Sequence, residues 1–152
     1  MKLSVRKLVA NEGRRFPIHI VGTPDPETLP GVDWIVHEIR LTGEAFAQLS
    51  TVYLEVTLHA RIQQPCNRCL EPVESTLTVE EPFELQIEPG SDEVDPMPLA
   101  LQIVLSTYDA NVLCKPDCRG LCPTCGANLN ASPDHRCDAE DAERRTLRDF
   151  LE

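Results

Sequence analysis

The sequence predicts an α+β fold: a twisted antiparallel β-sheet, a buried helix and a turn-rich C-terminal segment held by cysteines. Three observations carry this expectation. From Val52 to Ile62 apolar and polar residues alternate without a break, the period of a strand with one buried and one wet face. Asp95-Pro96 then opens an apolar run, and an Asp cap with Pro in the first turn is how helices begin. Six of the seven cysteines lie in close pairs, from Cys66 to Cys125, and Cys137 follows them in the 152-residue chain. That length suits one domain with a real core. The expected organisation is a β-rich part over 1–113 and a Cys-rich part over 114–152.

Along the chain, Phe16 to Val21 reads as a strand, and Thr23-Pro24-Asp25-Pro26 as a turn. Trp34 to Leu41 reads as a second strand, ending near Gly43. Val52 to Ile62 is the clearest strand. A further alternating run carries Val73, Leu77, Val79, Phe83, Leu85 and Ile87. Pro82 removes a ladder donor, so this run is expected to bend, to bulge or to lie at an edge. Between the two runs, Gln64-Pro65-Cys66-Asn67-Arg68-Cys69-Leu70-Glu71-Pro72 reads as a hairpin tip with a proline at each side. Glu88 to Pro98 is an acidic, proline-rich linker. A helix over about 96–108 follows, with Leu99, Leu101, Ile103, Val104, Leu105 and Tyr108 apolar on several sides and therefore buried. Cys114 to Asn130 is turn-rich. A final helix is expected over Asp138 to Leu151, with Glu140–Arg144 and Asp141–Arg145 at helix spacing.

Charge narrows the partners. The net charge is −11, which disfavours bare duplex binding through phosphates. From Leu70 to Cys114 there is no Lys or Arg but ten Asp and Glu, and a basic protein partner suits that stretch. The N-terminus lacks the apolar run of a secretory signal, and no stretch is long enough to span a bilayer. The expectation is a cytoplasmic protein with no membrane partner.

The chemistry sits in the cysteines. Cys66-x2-Cys69, Cys114-x3-Cys118, Cys122-x2-Cys125 and Cys137 are spaced as metal ligands, and a reducing compartment favours that reading over disulfides. A C-x2-C turn presents two thiolates to one ion, and zinc takes four such ligands in a tetrahedron. Cys122-Pro123-Thr124-Cys125-Gly126 is the stronger knuckle, because Gly accepts the positive φ that often follows the second Cys. One or two zinc ions are implied. In one partition Cys66, Cys69, Cys114 and Cys118 hold one ion, while Cys122, Cys125, Cys137 and His135 hold another. In a second, Cys66, Cys69, Cys122 and Cys125 share an ion as in a zinc ribbon. The smaller loop closures favour the first. A closed four-ligand site is structural, so no catalytic residue is assigned. His19, His37 and His59 have no partner spacing, and no phosphate loop, G-x-S-x-G or H-E-x-x-H occurs. Arg61, Arg68 and Arg119 flank the cysteine segments and are candidates for a small basic patch.

Cys66-Asn67-Arg68-Cys69-Leu70-Glu71-Pro72 followed by Cys118-Arg119-Gly120-Leu121-Cys122-Pro123-Thr124-Cys125-Gly126-Ala127-Asn128-Leu129-Asn130 resembles the YceD family, the large ribosomal RNA subunit accumulation proteins. The likeness covers roughly residues 30–130. It implies a role in accumulation or processing of large-subunit ribosomal RNA, and a gene often beside that of a small zinc-ribbon ribosomal protein. Many members with the second knuckle carry two further cysteines after it; here Cys137 stands there with His135 just before. With the charge asymmetry, the resemblance implies a zinc-stabilised, non-catalytic biogenesis factor. Its expected partner is a large-subunit precursor or a basic ribosomal protein, with rRNA contact through Arg61, Arg68 and Arg119. The rivals are a thiol- or metal-dependent enzyme, which needs a reactive thiol or an open metal position, and a zinc chaperone for a ribosomal zinc ribbon.

Overall fold

The computed structural model describes residues 2–25 and 35–137. The expected strand start at Trp34, Pro26 of the first turn, and the helix over Asp138–Leu151 with its ion pairs lie outside the described residues. The described residues fall into two compact units, drawn from Met1–Gln64 with Glu74–Ala110 and from Pro65–Val73 with Asn111–Glu152. The division follows space and not chain order: the hairpin tip groups with the Cys-rich segment.

In the first unit the elements run β1 (Leu3–Ser4), α1 (Arg6–Val9), β2 (Phe16–Gly22), β3 (Ile35–Gln48), β4 (Thr51–Pro65), β5 (Pro72–Gln86), β6 (Glu93–Val94) and α2 (Met97–Thr107). The last residue of β4 and the first two of β5 already belong to the second unit. A four-stranded sheet has the order β2-β3-β4-β5, and β1 pairs with β6. Both β2–β3 and β3–β4 are antiparallel. Across β3 and β4, Ile39 faces Ala60, Leu41 faces Leu58, Ala45 faces Leu54 and Ala47 faces Val52. All eight are essentially fully buried, so the alternation of Val52 to Ile62 does mark the core face. Each large side chain among them contributes roughly 1.5–3 kcal/mol by leaving water. Val5, Leu8, Phe83, Val94 and one face of α2 complete the same core.

The opposite face is wet. His19 meets Thr42 at 3.3 Å, His37 meets Gln63 at 3.2 Å and His59 meets Thr78 at 3.1 Å. Phe46 stacks on Tyr53 with ring centroids 5.0 Å apart, and Arg15 lies over Phe46 while it bonds Glu55. That hydrogen bond holds the Glu55 carboxyl below the usual carboxylate range.

Three expectations are revised, and the alternatives left open at Pro82 are resolved. β3 does not end near Gly43 but runs to Gln48. Gly43 lies mid-strand because a Cβ there would meet the Glu55 carbonyl oxygen at 2.1 Å and the Val56 Cα at 2.8 Å. Gly43→Ala therefore forces two backbones apart. It is expected to destabilise the protein by about 3 kcal/mol, the upper part of the usual overpacking range, as read from the urea midpoint. β5 is continuous through Pro82, and it is the edge strand, which is how the proline is accommodated. The linker contains β6, paired with β1 through Leu3↔Val94 and Ser4↔Glu93.

The helix expected over about 96–108 forms as Met97–Thr107, with the Asp95 side chain accepting the Met97 N–H at 2.9 Å. It is not buried on all sides. Met97, Ala100, Leu101 and Val104 face the core, whereas Leu105 and Tyr108 are exposed. After it, Gln64, a buried polar side chain, donates to the Asp109 carbonyl at 3.0 Å. Among the described residues no buried side-chain polar atom lacks a partner, and no helix is long and apolar enough to cross a membrane.

Candidate metal centre

The second unit is built from two knuckles of the same backbone design. In the first, Cys66 N–H donates to the Glu71 carbonyl at 2.8 Å and Leu70 N–H to the Cys66 carbonyl at 2.9 Å. In the second, Cys122 N–H donates to the Ala127 carbonyl at 2.8 Å and Gly126 N–H to the Cys122 carbonyl at 2.9 Å. The residue after each second cysteine is left-handed: Leu70 at φ 62° and Gly126 at φ 75°. Glycine takes that conformation freely, whereas leucine does not. Leu70 is also 63% exposed, so burial does not compensate it; the knuckle imposes it.

Hydrogen bonds join the hairpin tip to the later segment. Asn67 N–H donates to the Val112 carbonyl at 2.9 Å, and Leu121 N–H to the Arg68 carbonyl at 3.1 Å. The Arg68 guanidinium donates to the Cys118 carbonyl at 2.9 Å. Gly120 sits against the same turn, at φ 76°, where a Cβ would stand 3.0 Å from the Arg68 carbonyl oxygen. Gly120→Ala is expected to cost about 1–3 kcal/mol through backbone strain and to loosen the tip. Faster metal loss to a competing chelator is the measurement.

Two clusters of ligand atoms result, and within each the atoms lie within 4.8 Å of one another. One holds Cys66, Cys69, Cys114 and Cys118; the other holds Cys122, Cys125, His135 and Cys137. This is the first of the two partitions, and the zinc-ribbon pairing of the two knuckles is not formed. All eight expected ligands are placed. The separations fit a tetrahedral ion. A Zn–S bond of about 2.3 Å implies sulfurs about 3.8 Å apart; Cys66 and Cys118 are 3.8 Å apart, and Cys69 and Cys114 3.5 Å. Cys125 Sγ and His135 Nε2 are 3.3 Å apart. A disulfide would need about 2.05 Å, and all seven cysteines are free.

The electrostatics point the same way. Burial pushes the Cys66 thiol up, but N–H donors from Arg68, Cys114 and Cys69 outweigh it and bring it to about 6. Cys118 is lowered, first by the Asn130 amide, which donates to its sulfur at 3.2 Å. The backbone N–H of Glu71 lowers Cys69, yet burial and the Cys118 and Cys66 sulfurs raise it overall. The Cys69 sulfur and burial push Cys114 up to about 12. In the other cluster the Cys125 and Thr124 N–H groups bring Cys122 to about 6, while the Cys125 sulfur pushes Cys137 up to about 11. Each cluster is thus arranged to carry thiolates, and repulsion makes the remaining protons hard to remove. A divalent cation at the centre removes that penalty. The two clusters can hold two metal ions of the zinc type.

The expected basic patch is altered. Arg68 and Arg119 brace the metal segments, Arg119 by donating to the Pro133 carbonyl at 2.9 Å. Arg61 is exposed on β4, in the other unit. The histidines of the wet face join neither cluster. Sequence reasoning missed Asn128 and Asn130. Asn128 accepts the Asn130 N–H at 2.9 Å and donates to Glu71 at 3.2 Å, while Asn130 also accepts the Arg119 N–H. Their spacing of two just after a Cys-Gly step was the available signal. No protein-family model, curated protein or solved structure matches this chain.

Proposed function

We propose that this chain is a zinc-stabilised, non-catalytic factor in large ribosomal subunit biogenesis, acting in rRNA accumulation or processing by binding. The observation that carries the reading is the meeting of the two motif halves. The hairpin tip, Cys66 to Pro72, and the segment from Cys118 to Asn130 close on each other through Leu121, Gly120 and Arg68. The combination that resembles the YceD family is therefore one structural object. Four protein ligands per cluster suit a structural ion, which supports binding over catalysis. The thiol-rich composition suits the reducing cytoplasm.

The acidic chain from Glu71 to Asp109 would face a basic ribosomal protein or a basic surface of a large-subunit precursor. Direct rRNA contact would use Arg61, Arg68 and Arg119. Of the five donors on each guanidinium, Arg68 and Arg119 commit one each to a backbone carbonyl. Affinity capture from cells at moderate salt tests the proposal. Enrichment of large-subunit rRNA or ribosomal proteins is expected, and their absence in repeated capture of the zinc-loaded protein would overturn it.

A further inference from the structure

The two clusters are walled differently. Around the four-cysteine cluster, Cys66, Cys69 and Cys118 are buried and only Cys114 is exposed, with Val73, Leu113 and Leu121 packed against it. In the Cys3His cluster only Cys122 is buried; Cys125 is exposed, and His135 and Cys137 are partly so. The chain paths differ as well. The first cluster ties residues 52 apart, Cys66 to Cys118. The second is a local loop from Cys122 to Cys137, so losing its ion separates no distant segments.

We propose that the Cys122–Cys125–His135–Cys137 centre is an oxidant-reactive modification site, oxidised by peroxide at Cys125. It gives up its ion as a disulfide forms, while the four-cysteine clasp keeps its own. This rests on the reading that both clusters hold zinc. The Cys125 thiolate attacks one peroxide oxygen, the O–O bond breaks, and hydroxide leaves behind a sulfenic acid. A second thiolate of the cluster, from Cys137 or Cys122 and within 4.8 Å, then attacks that sulfur. It displaces a second hydroxide and forms the S–S bond. Two electrons pass from the two thiolates to the peroxide. The ion loses two of its four ligands and is released, and a thiol reductant with added zinc restores the site.

Exposure of one sulfur does not separate the clusters, because Cys114 is exposed too. What separates them is the second step. A sulfenic acid on Cys114 has only buried sulfurs as partners, and those are pinned: Cys69, at 3.5 Å, receives the Glu71 N–H. Cys118 receives the Asn130 amide, and its carbonyl receives Arg68. The Cys66 sulfur receives the Arg68 N–H at 3.5 Å. On Cys125 the partner Cys137 is itself partly exposed.

The experiment uses the full chain. Zinc per chain is measured first: two ions establish the premise, and fewer overturn both the premise and this proposal. Hydrogen peroxide is then added, released zinc is followed with a chromogenic chelator, and disulfides are mapped by mass spectrometry. One ion per chain is expected to leave, with a disulfide among Cys122, Cys125 and Cys137. In Cys125→Ser that release should slow by about tenfold or more, since the accessible thiolate is gone. Loss of both ions together would overturn the proposal, as would a first disulfide that includes Cys66, Cys69, Cys114 or Cys118. Should Cys125→Ser bind only one ion, the wild-type stoichiometry and disulfide map decide.

Discussion

Cys66→Ser is expected to halve the metal content and to release the hairpin tip from the segment that carries Cys114 and Cys118. Cys66 is fully buried and sits where β4 delivers the chain to the first knuckle. Its sulfur shares a cluster with Cys118, 52 residues on. Serine offers a harder, more weakly coordinating oxygen. The remaining three sulfurs would then keep their crowding without a full tetrahedron. Structural zinc contributes on the order of 10 kcal/mol in small metal domains, comparable to the whole stability of an ordinary domain. Metal analysis should give one ion per chain, and backbone amides of residues 66–73 and 111–121 should lose their protection from hydrogen exchange. A variant that still bound two ions would remove Cys66 from the ligand set. One that bound a single ion yet kept its protection would show that hydrogen bonds, not metal, hold the tip.

The largest effect expected in the first unit is from Phe83→Ala. Phe83 is fully buried and the bulkiest such side chain in the core. It stands on β5, an edge strand whose other residues are at most partly buried. Removing an aromatic side chain from a core costs about 3–5 kcal/mol, the range reflecting how far the site can collapse. Here the strand has no second fully buried anchor, so the upper part of the range is expected. The urea midpoint should fall with the metal content of the folded protein unchanged at two ions. A loss under about 1 kcal/mol would mean that Phe83 sits in a site able to refill itself.

Much of this architecture could be read from residue patterns, for reasons particular residues make plain. Val52 to Ile62 alternates because one sheet face is dry and the other is wet, and the pattern is long enough to be unambiguous. The knuckles are legible because metal geometry constrains spacing directly, and loop closure favoured the partition that forms. Short elements were not legible: Leu3–Ser4, Arg6–Val9 and Glu93–Val94 are too brief to show a period. Gly43 was read as a terminator because nothing local reveals that another backbone passes at contact distance. Leu70 hides a left-handed turn that its residue type argues against. The helix was read as buried all round because Leu105 and Tyr108 are apolar, although apolar side chains commonly remain in water. Arg68 and Arg119 were read as candidates for a basic patch, since a backbone carbonyl acceptor leaves no mark in the sequence.

The separation between Cys66 and Cys118 also sets an order of events during synthesis. The first knuckle emerges as a bare pair of thiolates, and its set of four ligands is complete only when the chain reaches Cys118, 52 residues past Cys66. At roughly 5–20 residues per second this is an interval of about 3–10 s. For that time the nascent hairpin tip can bind an ion only half-coordinated, and it is open to capture by other thiols or soft metals. The ambient zinc and thiol poise while the polypeptide is still growing, and not only afterwards, therefore bears on how much of this protein matures correctly.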